Sequence, residues 1–104
     1  MPHRAFIGVG SNLGDRKANI AEALDRAGKL VGSRIVRTSS LYESEPHGNA
    51  KTWFVNAAFE LETDFPAAEL LKKLKAIEEA MGRKRVAGKK WGSRIIDLDI
   101  LFED

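Results

Sequence analysis

The stretch WFVNAAFELET, residues 53–63, places two different kinds of side chain on alternate positions. One set is wholly apolar: Val55, Ala57, Phe59 and Leu61. The other set contains a ring, an amide, a methyl group and an acid: Phe54, Asn56, Ala58 and Glu60. Because successive side chains of a strand point to opposite faces, this alternation predicts a β-strand over residues 53–63.

Amphipathic helices are predicted on both sides of this strand. The first has apolar residues at i, i+4, i+7 and i+11: Ile20, Leu24, Ala27 and Val31. It is expected to begin after the capping residue Asp15, to run for roughly sixteen residues and to end near Gly32. The second has the same spacing at Leu70, Leu74, Ile77 and Met81. Its first turn is expected to contain Pro66, and Gly82 is expected to close it.

Three further segments have strand character. Residues 5–10 are apolar at every position, residues 34–42 are rich in β-branched side chains, and residues 95–102 read IIDLDILF. Residues 43–52 hold proline, glycine and asparagine, and are predicted to form a loop. The order β-α-β-β-α-β favours an α+β class: a ferredoxin-like βαββαβ sandwich, an antiparallel sheet with two helices on one face. The other face of the sheet would be open, or covered by something that this chain lacks.

Composition limits the alternatives. The 104 residues suit a single domain, 1–104, and 43% of them are hydrophobic, as in ordinary globular proteins. No apolar run is long enough to span a membrane, and the first residues do not resemble an export signal. There is no cysteine, which excludes disulfides and thiol chemistry. A cytoplasmic location is therefore expected.

The basic residues are unevenly distributed. Residues 83–94 hold six of the chain's 17 basic residues and no acid, which leaves 11 basic against 15 acidic residues elsewhere. A cationic segment on an acidic body predicts an anionic partner at one place. Trp91 in this segment could stack on a base, and its arginines could bind phosphate oxygens. The alternative is a basic surface loop with Trp91 folded into the core.

Asp97 and Asp99 flank Leu98 in the last predicted strand. Both carboxylates are expected on one face, while Ile96, Leu98, Ile100 and Phe102 are expected on the core face. Neighbouring carboxylates repel unless a cation or basic group lies between them, and Mg²⁺ commonly uses one or two carboxylates together with substrate phosphates. The pattern is therefore typical of a metal site. A solvated face with two salt bridges is the alternative.

Two other features are weaker. Phe54 and Asn56 share one face of their strand, and a ring beside an amide suits a flat heterocycle, although alternating strands often produce such pairs. The segment GVGSNLG, residues 8–14, has GxGxxxG spacing and does not match the GxGxxG dinucleotide motif. It is interpreted as a tight turn after a buried strand.

Four segments together resemble the 6-hydroxymethyl-7,8-dihydropterin pyrophosphokinase family, and the resemblance covers the whole chain. They are GVGSNLGDR at 8–16, SSLYESEP at 39–46, FVNAAFELET at 54–63 and KKWGSRIIDLDILF at 89–102. The resemblance implies an ATP-dependent diphosphotransferase of folate biosynthesis. Such an enzyme moves a pyrophosphoryl group from ATP to the pterin hydroxymethyl oxygen and releases AMP.

The resemblance also implies roles for individual residues. Asp97 and Asp99 would hold two Mg²⁺ ions, and with Arg85 and Arg94 they would form the catalytic set. The ATP site would comprise Glu78, Arg85, Trp91, Arg94 and Ile100. The pterin site would comprise Ser44, Phe54 and Asn56. The implied partners are ATP and the pterin, with neither nucleic acid nor membrane.

Three other possibilities stay open at this point. The family's chain continues past the DLDILF strand with a V-P-H-P motif, whereas this sequence ends at Asp104 and is expected to lack that segment. A non-catalytic remnant that binds ATP or pterin is one alternative, and a ferredoxin-like RNA-binding module is another. A sheet face or edge exposed by the short end could also drive association between copies.

Overall fold

The computed structural model describes residues 2–45, 53–82 and 95–103. The elements in these ranges are β1 (His3–Ser11), α1 (Arg16–Gly28), β2 (Ser33–Thr38), β3 (Tyr42–Ser44), β4 (Phe54–Thr63), α2 (Ala67–Ala80) and β5 (Asp97–Glu103). Neither of the two helices found there is long and apolar enough to cross a bilayer.

The strands form one antiparallel sheet in the order β2-β4-β1-β5, and β3 pairs with the first residues of β4. Both helices contact the same face of this sheet and also contact each other. The predicted α+β ferredoxin-like fold is confirmed. Its opposite face, called the open face below, carries none of the described helices.

The core lies between the helices and the sheet. The strand residues that alternation assigns to this face are buried: Ala5, Ile7, Val9, Val55, Ala57, Phe59, Leu61 and Leu98. They meet the apolar stripes of the helices, which include Ile20, Ala23, Ala27, Leu70, Leu74 and Ile77. Removal of this apolar surface from water is the main force that holds the helices on the sheet.

The helix boundaries differ slightly from the predicted ones. Asp15 caps α1 as expected, since its Oδ1 accepts a hydrogen bond from the Ala18 amide at 3.1 Å. However, α1 ends at Gly28, and the chain turns before Gly32, whose φ is +80°. Val31 is consequently 88% exposed and does not extend the apolar stripe. Pro66 stands at the cap position before α2, so its predicted place in the first helical turn is wrong by one residue.

The predicted strand over residues 34–42 is divided in two. At Ser39 the backbone amide donates to the Ala58 carbonyl, and the Ser39 hydroxyl accepts from the Ala58 amide, both at 2.8 Å. Because a side chain takes the place of a strand partner here, the regular ladder stops. Pairing with β4 resumes at Tyr42, and Glu43 and Ser44 belong to β3 and not to the predicted loop.

The prediction that Phe102 lies on the core face is wrong. Ile7 is opposite Ile100, but the next residue back, Phe6, is opposite Phe102, so Leu101 is an extra residue in β5. Such a bulge moves every later side chain to the other face. Phe102 is therefore 59% exposed on the open face, with its ring centre 6.0 Å from that of Phe6.

Candidate active site

A cleft of about 270 Å³ lies on the open face where β3, β4, β1 and β5 come together. Its lining residues are Gly8, Val9, Gly10, Tyr42, Ser44, Phe54, Asn56, Ala57, Asp97, Asp99 and Leu101. Five of these were selected from the sequence as site residues. They come from three separate segments of the chain, so the fold brings both the predicted pterin group and the predicted metal group to one cleft.

Gly10 forms the floor between these two groups. It is opposite Asn56 in one neighbouring strand and opposite Asp97 in the other. A Cβ atom at this position would lie 2.8 Å from Asn56 Oδ1 and 3.4 Å from Phe54 Cδ1. Glycine is therefore required for the close approach of these side chains. Gly10 lies within β1, as predicted for the strand over residues 5–10, and β1 continues to Ser11, so the predicted tight turn over residues 8–14 is wrong for its first four residues. The place of Gly10 in the floor of the cleft was not predicted.

Asn56 has a fixed orientation on one side of the floor. Its Nδ2 donates to Ser44 Oγ at 2.8 Å and, over a longer 3.5 Å, to the Tyr42 carbonyl. These bonds turn Oδ1 toward Gly10. The half-buried ring of Phe54 completes an aromatic and amide surface. Tyr42, which was not predicted as a site residue, also lines this wall. A strand through Tyr42 and Ser44 would have placed both side chains on one face, but residues 43–52 were predicted to form a loop.

Asp97 and Asp99 lie on the other side of the floor. Asp97 is opposite Gly10 and Asp99 is opposite Gly8, while Leu98 between them is fully buried on the helix side. The structure thus places both carboxylates on the open face, as the alternation requires. Neither Gly8 nor Gly10 has a side chain of its own, and the space above them is bordered by Leu101 at Gly8 and by Asn56 at Gly10.

The electrostatics of this pair favour a cation. Partial burial, followed by repulsion from Asp97, raises the pKa of Asp99 above its ordinary value, and the positive charge of Lys75 opposes this. A cation between the two carboxylates would relieve the repulsion. The described residues contain no group of three or more histidine, cysteine, aspartate or glutamate side chains arranged to hold a metal ion. A hard ion such as Mg²⁺, which is satisfied by two carboxylates with phosphate and water oxygens, fits this donor set.

Glu78 supports the acid pair from behind. Its side chain, 1% exposed, lies on α2, and Oε2 accepts a hydrogen bond from the Leu98 amide at 2.6 Å. Lys75 Nζ lies 3.5 Å from the other carboxylate oxygen. The bond fixes the backbone of β5 between Asp97 and Asp99. The predicted contact of Glu78 with a nucleotide stays a prediction.

The remaining predicted residues are placed as follows. Arg85, Trp91 and Arg94 lie outside the described residues. Ile100 is opposite Ile7 and packs partly buried against the core. Its assignment to an ATP site therefore also stays a prediction.

The fold and the cleft define a ferredoxin-like α+β domain with an acid-lined cleft on its open sheet face. The model of the 7,8-dihydro-6-hydroxymethylpterin-pyrophosphokinase (HPPK) family matches residues 6–104. The chain belongs to this family, and the family resemblance seen in the sequence is confirmed.

Individual relatives agree with this assignment. Two relatives of this chain are named 2-amino-4-hydroxy-6-hydroxymethyldihydropteridine pyrophosphokinase. The protein from Pseudomonas aeruginosa is 41% identical over 98% of this chain, and the protein from Methylorubrum extorquens is 39% identical over 94% of it. The chain covers 62% and 61% of those two proteins. A folate synthesis bifunctional protein of Arabidopsis thaliana is 46% identical over 92% of this chain, which covers 20% of that protein.

Proposed function

We propose that the chain transfers a pyrophosphoryl group from ATP to the hydroxymethyl oxygen of 6-hydroxymethyl-7,8-dihydropterin and releases AMP. The observation that carries this proposal is that Gly10 separates an aromatic and amide wall from an acid pair within one cleft. Membership of the pyrophosphokinase family and the names of the relatives support it. The proposed setting is the cytoplasm, and the proposed partners are the two small molecules.

The pterin is assigned to the wall formed by Ser44, Phe54 and Asn56. A pterin is flat and carries alternating donors and acceptors on its edge. The Phe54 ring offers a surface for stacking, and Asn56 Oδ1 offers an oriented acceptor because its amide nitrogen is held by Ser44 Oγ at 2.8 Å. This pre-arranged wall reduces the entropy lost when the substrate binds.

The triphosphate is assigned to the side of Asp97 and Asp99. These two carboxylates would hold Mg²⁺, with two ions expected. When bound, Mg²⁺ would neutralise the phosphate oxygens and orient the chain of phosphates. Glu78 contributes by fixing the Leu98 amide, and so the spacing of the two carboxylates along β5.

The chemical step requires no protein nucleophile. The hydroxymethyl oxygen attacks the β-phosphorus and loses its proton to solvent, while the bond from that phosphorus to the oxygen bridging to the α-phosphorus breaks, so that AMP leaves. Catalysis of such a transfer depends on in-line placement and charge stabilisation. Placement is assigned to Asn56 and the acid pair on either side of Gly10. Charge stabilisation is assigned also to Arg85 and Arg94, with Trp91 against the nucleotide.

An AMP-release assay on this chain tests the proposal. ATP, Mg²⁺ and 6-hydroxymethyl-7,8-dihydropterin are expected to give AMP and the pterin pyrophosphate in equal amounts, with no AMP when the pterin or Mg²⁺ is left out. Binding of both ligands without AMP would replace the proposal by a ligand-binding remnant. Mg²⁺-independent, salt-sensitive RNA binding without pterin binding would replace it by an RNA-binding module.

A further inference from the structure

Arg16, in the first turn of α1, joins that helix to two strands at the cleft. Its Nη1 donates to the Trp53 carbonyl at 2.7 Å and lies 3.5 Å from Glu43 Oε2. Trp53 is the residue immediately before β4, and Glu43 is the middle residue of β3. One guanidinium nitrogen therefore connects the helix to both strands that form the predicted pterin wall.

The wall depends on a very short strand. β3 has three residues and pairs with the first residues of β4, with Tyr42 opposite Asn56 and Ser44 opposite Phe54. Three residues on the margin of a sheet give little stability of their own. However, the position of β3 decides where Ser44 Oγ lies, and that oxygen orients the Asn56 amide.

The contact is made from behind the wall. Tyr42 and Ser44 line the cleft, so alternation directs the side chain of Glu43, which lies between them, to the opposite face of the strand. Arg16 meets Glu43 on that face and is not among the residues that line the cleft. Its contribution to a bound ligand must therefore pass through β3 and β4.

The turn that leads from β1 into α1, at the helix end of the Arg16 contact, is also held in place. The turn between β1 and α1 is held by Asn19, whose Nδ2 donates to the Leu13 carbonyl at 2.8 Å and to Ser11 Oγ at 3.2 Å. Ser11 follows Gly10, the floor of the cleft. Arg16 therefore connects the wall to the element that carries the floor.

We propose that Arg16 is a positioning residue for the pterin wall, holding β3 and the start of β4 at the distance from the floor that the substrate requires. The identity of the ligand rests on the proposed function. The side chains of Arg16 and Glu43 are 31% and 59% exposed, and ion pairs with such exposure contribute little to global stability. The effect of Arg16 is therefore expected at the site and not in overall folding.

The test compares Arg16→Ala, Arg16→Lys and Arg26→Ala. Arg26 is a matched control, because it lies on the same helix and its Nε donates to Glu22 one turn away, at 2.8 Å. Affinities for 6-hydroxymethyl-7,8-dihydropterin and for ATP with Mg²⁺ are measured separately, together with the hydrogen-exchange rates of the Tyr42–Ser44 amides.

Arg16→Ala is expected to weaken pterin binding about 10-fold, as for the loss of a hydrogen bond to a charged group, and ATP binding less than about 2-fold. The β3 amides should exchange faster. Arg16→Lys, which keeps a charged donor, should recover part of the pterin affinity, and Arg26→Ala should match the wild type in all three measurements.

Unchanged pterin affinity in Arg16→Ala, an equal loss of both ligands, or an equal loss in Arg26→Ala would overturn the inference. If the wild type binds no pterin, the proposed function fails instead. The exchange rates then decide the inference by themselves: faster exchange of β3 in Arg16→Ala alone supports it, and unchanged exchange refutes it.

Discussion

The two faces of the sheet carry opposite chemistry. Against the helices, strand residues such as Ile7, Phe59 and Leu98 are almost completely buried. On the open face, Asp97 and Asp99 lie on either side of Leu98 in the chain and point away from it. Residues 97–99 thus contribute to both faces, with Leu98 in the core and the two aspartates on the open face. The helix side provides the stability that allows two like charges to be held together on the other side, so substitutions on the two faces should have separable effects.

The open face itself contains two different arrangements of acids. Glu60, 3% exposed, lies between Arg4 Nη1 at 2.6 Å and Arg37 Nε at 2.7 Å, and the bond from Arg37 above all lowers the pKa of Glu60. Asp99 lies beside another carboxylate, and its pKa is raised. The first arrangement satisfies its charge internally, whereas the second is suited to an external cation.

The largest difference between the faces should appear in activity. Asp97→Asn or Asp99→Asn should lower AMP release on the order of 10³-fold, because metal-held phosphates are worth several kcal/mol in the transition state. Without Mg²⁺, the melting temperature should be unchanged or higher, since each substitution removes the repulsion. Calorimetry without metal provides the second measurement. Turnover retained in either variant would contradict the metal assignment.

Substitutions at two residues of β5, one on each face, should differ in their effect on the free energy of unfolding. Leu98→Ala, at a fully buried position, should lower the free energy of unfolding by about 2–5 kcal/mol. Phe102→Ala, on the open face, should cost less than about 1 kcal/mol although it removes a larger side chain. Urea titration of both variants measures this. Equal losses would mean that the bulge at Leu101 does not place Phe102 as described.

Two floor glycines provide a finer comparison. In Gly10→Ala the new methyl group would displace Asn56 Oδ1. We therefore expect pterin affinity to fall at least about 10-fold, which corresponds to about 1.4 kcal/mol of binding free energy. In Gly8→Ala the neighbours would be the flexible end of Leu101, at 3.2 and 3.3 Å, and the change should be about 2-fold or less. Fluorescence titration with the pterin distinguishes them. A larger loss in Gly8→Ala would show that the pterin is on the acid side.

The smallest effect concerns acid stability. Because the folded-state pKa of Glu60 is below its ordinary value of 4.5, its stabilising contribution is present above that value and is lost as the pH falls through the folded-state pKa. Glu60→Gln should therefore be less stable than the wild type at pH 7, with a difference that narrows in acid. Melting temperatures from pH 7 to pH 3 measure this, and a constant difference would contradict the paired state.

Much of this architecture follows from the sequence because alternation and helical spacing are local signals. They predict β4, both helices and the shared face of Asp97 and Asp99. The bulge at Leu101 and the break at Ser39 do not follow, since each depends on pairing with a distant strand. Arg16 was missed for the same reason: its partners are 27 and 37 residues away in the chain, and nothing in the local pattern links them.

The most direct test of the account uses Mn²⁺ in place of Mg²⁺, with ATP, and measures paramagnetic relaxation of the backbone amides. We expect the strongest relaxation at Gly8, Gly10 and residues 97–99, weak relaxation at Arg37 and Thr38 of β2, and loss of the effect in Asp99→Asn. Relaxation centred elsewhere, or unchanged in Asp99→Asn, would contradict the claim that these two aspartates hold the metal beside the pterin wall.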